Sequence, residues 1–121
     1  MSSALFSVPK RVLITAGASG IGLAMAQAFS AAAATVMVCD ADEAALQRLR
    51  LDLPGIATCQ ADVSNEGDVE RLFHELDRQL GGLDVLVNNA GIAGPTGPIE
   101  SLQLAEWQRT LEVNLTGQFL C

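Results

Sequence analysis

A glycine-rich stretch, residues 17–22, is the part of the sequence best suited to hold an anion. Gly17, Gly20 and Gly22 follow a short apolar run, and an alanine-rich helix pattern begins directly after them. Glycine permits a close backbone approach, and the amides of a helix start carry about half a positive charge. A pyrophosphate would satisfy such amides. The spacing differs from the common G-x-G-x-x-G fingerprint, so a close strand–helix crossing without a ligand is the alternative.

Asp40 stands where the second predicted strand, residues 35–39, ends. It lies roughly 20 residues after the glycine stretch, which is the spacing expected of an acid that binds a ribose. A carboxylate accepts hydrogen bonds from both ribose hydroxyls, whereas a 2′-phosphate would meet like charge. No Arg or Lys occurs among residues 15–22 or 40–42 to offset that repulsion, so the sequence favours NAD over NADP. The alternative is that Asp40 begins the second helix, in a capping box with Glu43.

Polar residues also follow the third and fourth predicted strands. Asp62 is placed to accept a hydrogen bond from an adenine amino group, with Val63 against the ring. The alternative for Asp62 is a helix cap beside Ser64, which we expect to begin the third helix. The asparagines at residues 88–89 would bridge neighbouring strands or contact a second ribose, and they are also ordinary turn residues.

Alternating strands and helices must position these residues. Apolar runs predict strands over residues 10–15, 35–39, 56–61 and 83–87, and the segments after them have helical spacing. This alternation predicts the α/β class, with a Rossmann-type doubly wound parallel sheet of about four strands in the order 3-2-1-4. Ligands of such sheets bind beyond the carboxyl ends of the strands, where all of these residues lie. We expect residues 1–121 to form one domain.

The fourth helix pattern continues to the last residue and carries five large apolar side chains. These side chains are Leu104, Trp107, Leu111, Leu115 and Phe119, and we expect Trp107, at helical spacing with Leu104 and Leu111, to belong to the core. The single histidine, His74, lies among charged residues of the third helix, where a solvated side chain is expected. The first helix is predicted over residues 20–33, without a glycine to end it.

Composition excludes several classes of function. The net charge of −7, with Lys10 as the single lysine, argues against nucleic acid or an anionic membrane as a partner. No run approaches the ~20 apolar residues of a membrane span, and residues 1–9 lack the basic start of a signal peptide. The cysteines have no C-x-x-C spacing and two lie in apolar strands, so we expect reduced core thiols, no metal site and a cytoplasmic protein.

These motifs together resemble the short-chain dehydrogenase/reductase family. The matching segments occur in the family's order and cover essentially the whole chain: Thr15–Gly22, Asp40, Asp62–Val63, Asn88-Asn89-Ala90-Gly91 and Asn114-Leu115-Thr116-Gly117. The resemblance implies a Rossmann fold and hydride transfer between a nicotinamide cofactor and a small-molecule alcohol or ketone. Because the family commonly pairs through its fourth and fifth helices, it also implies a homo-oligomer for the full-length protein.

The resemblance assigns roles to individual residues. It places Ser19, Gly20, Ile21 and Gly22 against the pyrophosphate, Asp40 at the adenosine ribose, and Asp62 and Val63 at the adenine. It also places Asn89, Ala90 and Gly91 at the nicotinamide-side ribose. Asn114 matches the catalytic asparagine, whose main-chain carbonyl holds a water linked to the family's catalytic lysine.

The chain departs from the family pattern in two places. Ala16 replaces the first glycine of the turn, which would strain the backbone by ~1 kcal/mol or more if that position needs a positive φ. The alternative is that Gly17 makes the turn one residue later. The sequence contains no tyrosine, and the family's catalytic serine and Tyr-x-x-x-Lys lie downstream of residue 121. We therefore expect an incomplete sheet, an N-terminal portion of a longer dehydrogenase, and no activity from these residues alone.

Three other functional classes remain open at this stage. The first is a non-catalytic NAD-binding or regulatory module completed by a partner chain. A nucleoside-triphosphate site is less favoured, because no lysine follows the glycine turn. A methyltransferase would share the turn and the ribose acid but not the Asn-Asn-Ala-Gly segment or Asn114.

Overall fold

The computed structural model describes residues 10–121, which form one parallel sheet with helices packed against it. The first nine residues, and with them the expectation about a signal peptide, lie outside this range. The strands are β1 (Arg11–Thr15), β2 (Thr35–Asp40), β3 (Ala57–Gln60) and β4 (Val85–Val87). The helices are α1 (Gly20–Ala31), α2 (Glu43–Asp52), α3 (Glu66–Leu80), α4 (Leu104–Leu111) and α5 (Gly117–Leu120), with a π-helical segment at Glu112–Thr116 between the last two.

The order of the strands is β3-β2-β1-β4, and all pairs are parallel. This confirms the predicted doubly wound α/β sheet and its order 3-2-1-4. Val12, Leu13 and Ile14 of β1 are fully buried, because helices cover both faces of the central strands. Val12 and Ile14 belong to one apolar cluster and Leu13 to another, so the two cores lie on opposite faces of the sheet.

Two predicted helix caps are wrong by one or two residues. Asp42, rather than Asp40, caps α2, and its Oδ1 accepts the Ala45 N–H at 3.1 Å. Asn65, rather than Ser64, caps α3 by accepting the Asp68 N–H at 2.9 Å. In both places a short bend or turn separates the strand end from the cap, so the acids at the strand ends do not cap the helices.

Helices α1 and α3 end in a left-handed residue by different means. Gly81 ends α3 with a φ of 78°, as predicted. Helix α1 stops at Ala31 and Ala33 takes a φ of 66°, so an alanine occupies the position where a glycine is usual. The predicted extent of α1 to residue 33 is therefore two residues too long.

The large apolar residues of the fourth helix are exposed, so the prediction that Trp107 belongs to the core is wrong for the described part of the chain. Leu104 is 69% exposed and Phe119 is 85% exposed, and Trp107, Leu111 and Leu115 are also exposed. The opposite side of this helix is covered instead, since Val113 and Gly117 are buried there and Gly117 lies against Val63. The helical spacing was correct, but it did not indicate which face the rest of the fold would cover.

Cys39 and Cys59 are buried free thiols in β2 and β3, as expected. Burial is the main cause that raises the pKa of the Cys39 thiol to about 12, so it stays protonated near neutral pH. His74 is exposed on α3, also as expected. Within residues 10–121 no helix combines the length and the apolar character that crossing a membrane requires.

Candidate functional site

A cleft of about 200 Å³ opens at the carboxyl ends of the four strands. Five of the residues that the sequence singled out line it: Asp40, Asp62, Val63, Ala90 and Gly91. The remaining lining residues are Ala16, Ala41, Ala61, Ile92, Arg109 and Val113. The parallel sheet thus brings together residues that are separated by more than half of the sequence.

The turn from β1 into α1 brings the first amides of that helix to the same edge of the sheet. Ser19 is the N-cap of α1, but its hydroxyl does not cap the first turn. The amides of Gly20, Ile21 and Gly22 therefore have no partner within the helix. Gly20 has a φ of 56°, and an added Cβ would meet nothing within 4 Å, so its side is open. Ser19 and Ile21 are exposed beside it.

Gly22 is required by a close backbone approach. An added Cβ would collide with the Ala16 carbonyl oxygen and would lie 2.6 Å from Asn89 Nδ2. Gly17 is also buried, and its N–H donates to the Cys39 carbonyl at 3.2 Å. These two glycines hold the turn together, while Gly20 leaves space in front of it.

Ala16 adopts the left-handed conformation, with a φ of 52°. The turn therefore needs a positive φ at this position, and an alanine there costs ~1 kcal/mol or more. The conformation directs the Ala16 carbonyl towards Asn89, whose Nδ2 donates to it at 3.3 Å. Ala16 also lines the cleft.

Two backbone amides fix the carboxylate of Asp40. Its Oδ2 accepts the Ala18 N–H at 3.1 Å, and its Oδ1 accepts the Asp42 N–H at 3.0 Å. A carboxylate has about four acceptor positions, so each oxygen retains one for a ligand. Asp40 thus joins the glycine turn to β2 and still offers two acceptors to the cleft.

Asp62 is held by a second set of bonds. Its Oδ1 accepts both the Ser64 N–H at 3.0 Å and the Ser64 hydroxyl at 2.6 Å, and its Oδ2 accepts from Arg109 at 3.2 Å. Partial burial acts to raise the pKa of this carboxyl, but the bonds from Ser64 and Arg109 outweigh it and leave the pKa below its usual value. Asp62 is therefore ionised near neutral pH.

Thr15 and Asn89 connect the ends of β1 and β4. The Thr15 side chain is 1% exposed, and its Oγ1 accepts the N–H groups of Asn89 and Ala90, both at 2.9 Å. The Asn89 amide donates back to the Thr15 carbonyl at 3.1 Å. Of the two roles expected for this asparagine, its side chain has the bridging one. Thr15 was missed as a site residue, although a hydroxyl at the end of an apolar strand is a usable signal.

Asn114 lies in the π-helical segment and holds the loop after β4. Its Oδ1 accepts the Ile92 N–H at 2.8 Å, and its Nδ2 donates to the Ile92 carbonyl at 2.9 Å. The Gly117 N–H donates to Glu112 five residues back, so the carbonyl of Val113 loses its usual helical donor. Single π turns within α-helices are frequent at functional sites.

Comparisons with known proteins agree with this geometry. Residues 10–121 match the family model described as short chain dehydrogenase. The chain is 37% identical over 116 residues to a short chain dehydrogenase/reductase of Macrophomina phaseolina, and 38% identical over 110 residues to the L-fucose dehydrogenase of Bos taurus. It is 39% identical over 112 residues to the cis-4-hydroxycyclohexanecarboxylate dehydrogenase of Sinomonas cyclohexanicum. These matches cover 92%, 91% and 90% of this chain.

A solved structure gives the same result. The 3-ketoacyl-(acyl-carrier-protein) reductase of Brucella melitensis, complexed with NADH, superposes with a TM-score of 0.87 at 34% identity, over 92% of this chain and 46% of that protein. The chain spans 66%, 41% and 45% of the lengths of the three relatives named above. The family match over residues 10–121, together with the fold, identifies this chain as a member of the short-chain dehydrogenase/reductase family.

Proposed function

We propose that the cleft binds the adenosine half of NAD, and that residues 10–121 are the cofactor-binding portion of an NAD-dependent oxidoreductase. One observation carries the proposal: two carboxylates, Asp40 and Asp62, line a single cleft beside the open first turn of α1. Each carboxylate is fixed by hydrogen bonds on one side and keeps an acceptor position on the other. The hydroxyls of a ribose and the amino group of an adenine are donors, and these two carboxylates supply acceptors for them.

The residues present fit a dinucleotide. The uncapped amides of Gly20, Ile21 and Gly22 suit a pyrophosphate, and the open space beside Gly20 admits it. In our proposal Asp40 accepts from the two adenosine ribose hydroxyls, Asp62 accepts from the adenine amino group, and Val63 supports the ring. Ser19 lies beside the pyrophosphate, and Gly17 keeps the turn in place.

The same residues favour NAD over NADP. A 2′-phosphate on the ribose would lie against the Asp40 carboxylate and be repelled. Arg109 is the one cation among the residues that line the cleft, and it is already paired with Asp62. Arg109 is therefore poorly placed to neutralise the charge of a 2′-phosphate at Asp40.

The nicotinamide half would extend past Asn89, Ala90 and Gly91 towards Asn114. Bound nicotinamide supplies or accepts a hydride, and the chain's own contribution is to hold the ring side of the site. Asn114 fixes the loop at Ile92 through two hydrogen bonds, which sets one wall of that space. We propose that its main-chain carbonyl acts in proton relay.

The proposed substrate is a small-molecule alcohol or ketone. The relatives are named for a sugar and a hydroxycyclohexanecarboxylate, and the neighbouring structure for a ketoacyl group. An acid–base group must accompany hydride transfer to such a carbonyl. The 121 residues contain no tyrosine, so we propose that they do not catalyse turnover alone.

We also propose a homo-oligomer, formed over the exposed apolar face of the fourth helix. Five large apolar side chains are exposed along it: Leu104, Trp107, Leu111, Leu115 and Phe119. Exposure of such an apolar surface to water is unfavourable.

The proposal is tested by exchanging one acid in the cleft. In the full protein, Asp40→Asn should weaken NADH binding by roughly tenfold and weaken NADPH binding less, because the lost charge repelled the 2′-phosphate. Asp42→Asn is the matched control, since asparagine caps a helix as well as aspartate and Asp42 does not line the cleft. Titration calorimetry with both dinucleotides measures the ratio. An unchanged ratio in Asp40→Asn would refute the ribose assignment.

A further inference from the structure

Arg109 reaches the cleft from a helix that is remote in sequence from the acids at the strand ends. It lies on α4, 47 residues from Asp62. Its NH1 donates to the Ser64 hydroxyl at 2.6 Å and its NH2 to Asp62 Oδ2 at 3.2 Å. Since the Ser64 hydroxyl donates in turn to Asp62 Oδ1 at 2.6 Å, the three side chains form a closed ring.

This ring determines which acceptor position of Asp62 remains open. Of about four acceptor positions on the carboxylate, Ser64 occupies two on Oδ1 and Arg109 occupies one on Oδ2. The remaining position is on Oδ2, and Asp62 lines the cleft. Rotation of the carboxylate would break bonds to both neighbours, so its orientation is fixed before any ligand arrives.

We propose that Arg109, acting with Ser64, is a positioning residue that sets the base specificity of the adenine subsite. The inference rests on the proposed NAD site. With its carboxylate fixed, Asp62 presents a charged acceptor at one point and accepts the C6 amino group of adenine. Hypoxanthine carries a carbonyl oxygen at C6, and that oxygen would face the fixed carboxylate without a proton between them.

Loss of the ring should therefore affect discrimination between bases. Without Arg109 the carboxylate loses its bond on Oδ2, while Ser64 still holds Oδ1. Both acceptor positions of Oδ2 are then open to a water or a ring N–H, so an adenine and a hypoxanthine become more nearly equal ligands. Such selectivity usually arises because the wrong ligand leaves a polar group of the site, here the Asp62 carboxylate, without a hydrogen-bond partner. A merely structural role for Arg109 would lower the affinity for both bases together.

The experiment compares NADH with its hypoxanthine analogue, deamino-NADH, in the full protein. We expect wild type to bind NADH about tenfold more tightly than deamino-NADH. Arg109→Gln and Ser64→Ala should each lower this ratio about threefold or more, because each removes one of the side-chain bonds that orient the Asp62 carboxylate. Arg78→Gln is the control, because Arg78 forms an exposed pair with Glu75 in the last turn of α3, away from the cleft. Reduced nicotinamide mononucleotide, which lacks adenosine, should bind all four proteins equally.

The outcomes separate the inference from the proposed function. If wild type binds neither NADH nor NADPH, the proposed function and the inference both fall. If wild type prefers NADH over deamino-NADH and the ratio is unchanged in Arg109→Gln and Ser64→Ala, the inference alone is overturned. It is also overturned if Arg109→Gln weakens NADPH more than NADH, because Arg109 would then be a phosphate ligand. Equal thermal midpoints for the variants and wild type would exclude misfolding as the cause of a changed ratio.

Discussion

Ala16 and Thr15 show how single residues shape the end of β1. Ala16 is held at a φ of 52°, so that its carbonyl faces the Asn89 amide. The buried hydroxyl of Thr15 accepts from two backbone amides that follow β4, the neighbouring strand in the sheet. The backbone of Ala16 is strained, and the Thr15 hydroxyl supplies an acceptor to two amides. Both residues set the position of the glycine turn that we propose holds a pyrophosphate.

Ala16→Gly should stabilise the protein by roughly 0.5–1 kcal/mol, because glycine adopts a positive φ without the clash of a Cβ. Ala24→Gly, on an exposed position inside α1, should instead destabilise it by roughly 0.5–1 kcal/mol. Urea unfolding of the full protein measures both. A loss of stability in Ala16→Gly would mean that Ala16 is not strained.

Thr15→Val should destabilise the protein by roughly 1–3 kcal/mol, since it keeps the shape of the side chain but leaves two part-buried amides without an acceptor. Thr35→Val, at an exposed position at the start of β2, should change stability by less than about 0.5 kcal/mol. Denaturant midpoints and slopes give the comparison. Equal effects of the two substitutions would argue against the bridging role of Thr15.

Residues that directly follow a predicted strand could be assigned to the site from the sequence, whereas a site residue on a helix could not. Asp40 and Asp62 were found because they follow apolar strands, and carboxyl ends of parallel strands share one edge. Arg109 was not found, because it enters the cleft from a helix whose sequence gives no sign of facing Asp62. The caps at Asp42 and Asn65 were misplaced, since competing acceptors stand within two residues of each.

At the scale of elements, an ion pair joins the starts of β1 and β4. The Arg11 backbone N–H and Nε donate to Asp84 Oδ2 at 2.8 and 3.1 Å, and NH2 donates to Oδ1 at 3.2 Å. The side-chain and backbone hydrogen bonds from Arg11 lower the pKa of Asp84 from 3.8 to about 2. The pair therefore fixes the β1–β4 contact at the edge of the sheet opposite the cleft.

The Arg11–Asp84 pair predicts a specific acid response. Its stabilisation is complete above the unfolded pKa of Asp84 near 3.8 and is lost as pH falls through about 2. In Asp84→Asn, the free energy of unfolding should fall less steeply than in wild type between those two pH values. Arg11→Gln should give a profile between wild type and Asp84→Asn, because it removes the side-chain bonds to Asp84 and keeps the backbone N–H bond. Unfolding curves measured across this range would contradict the account if all three proteins gave parallel profiles.

The fourth helix shows what the periodicity of a helix cannot predict. Periodicity correctly indicated a helix and one apolar face, but that face is exposed. The face that packs inward carries Val113 and Gly117, and Gly117 is small enough to lie against Val63. Periodicity reports that a face is apolar and does not report what covers it, so an interface and a core have the same pattern.

At the scale of the whole molecule, the exposed face of the fourth helix is where we expect a second copy to bind. Leu115→Arg should shift the full protein to a lower oligomeric state, because it places a charge in the apolar patch. Leu51→Arg is the control, since Leu51 is also exposed but lies on α2, away from that patch. Light scattering after size-exclusion chromatography gives the mass. An unchanged mass for Leu115→Arg would exclude this face as the contact.

The whole sheet was predictable because each of its strands is apolar and each crossover contains a helix. Order and direction then placed the glycine turn and both acids at a single edge, which is the basis of the proposed site. The detailed hydrogen bonding of that edge was not predictable, because it depends on side chains such as Thr15 and Arg109 that meet only after folding.

The central claim is that this edge of the sheet binds the adenosine half of NAD. A crystal structure of the full protein with NADH tests it most directly. The account predicts that the adenosine ribose lies on Asp40, that the adenine amino group lies on Asp62, and that the pyrophosphate lies at the first turn of α1. NADH bound elsewhere, or a cleft that stays empty when the protein is saturated with NADH, would contradict it.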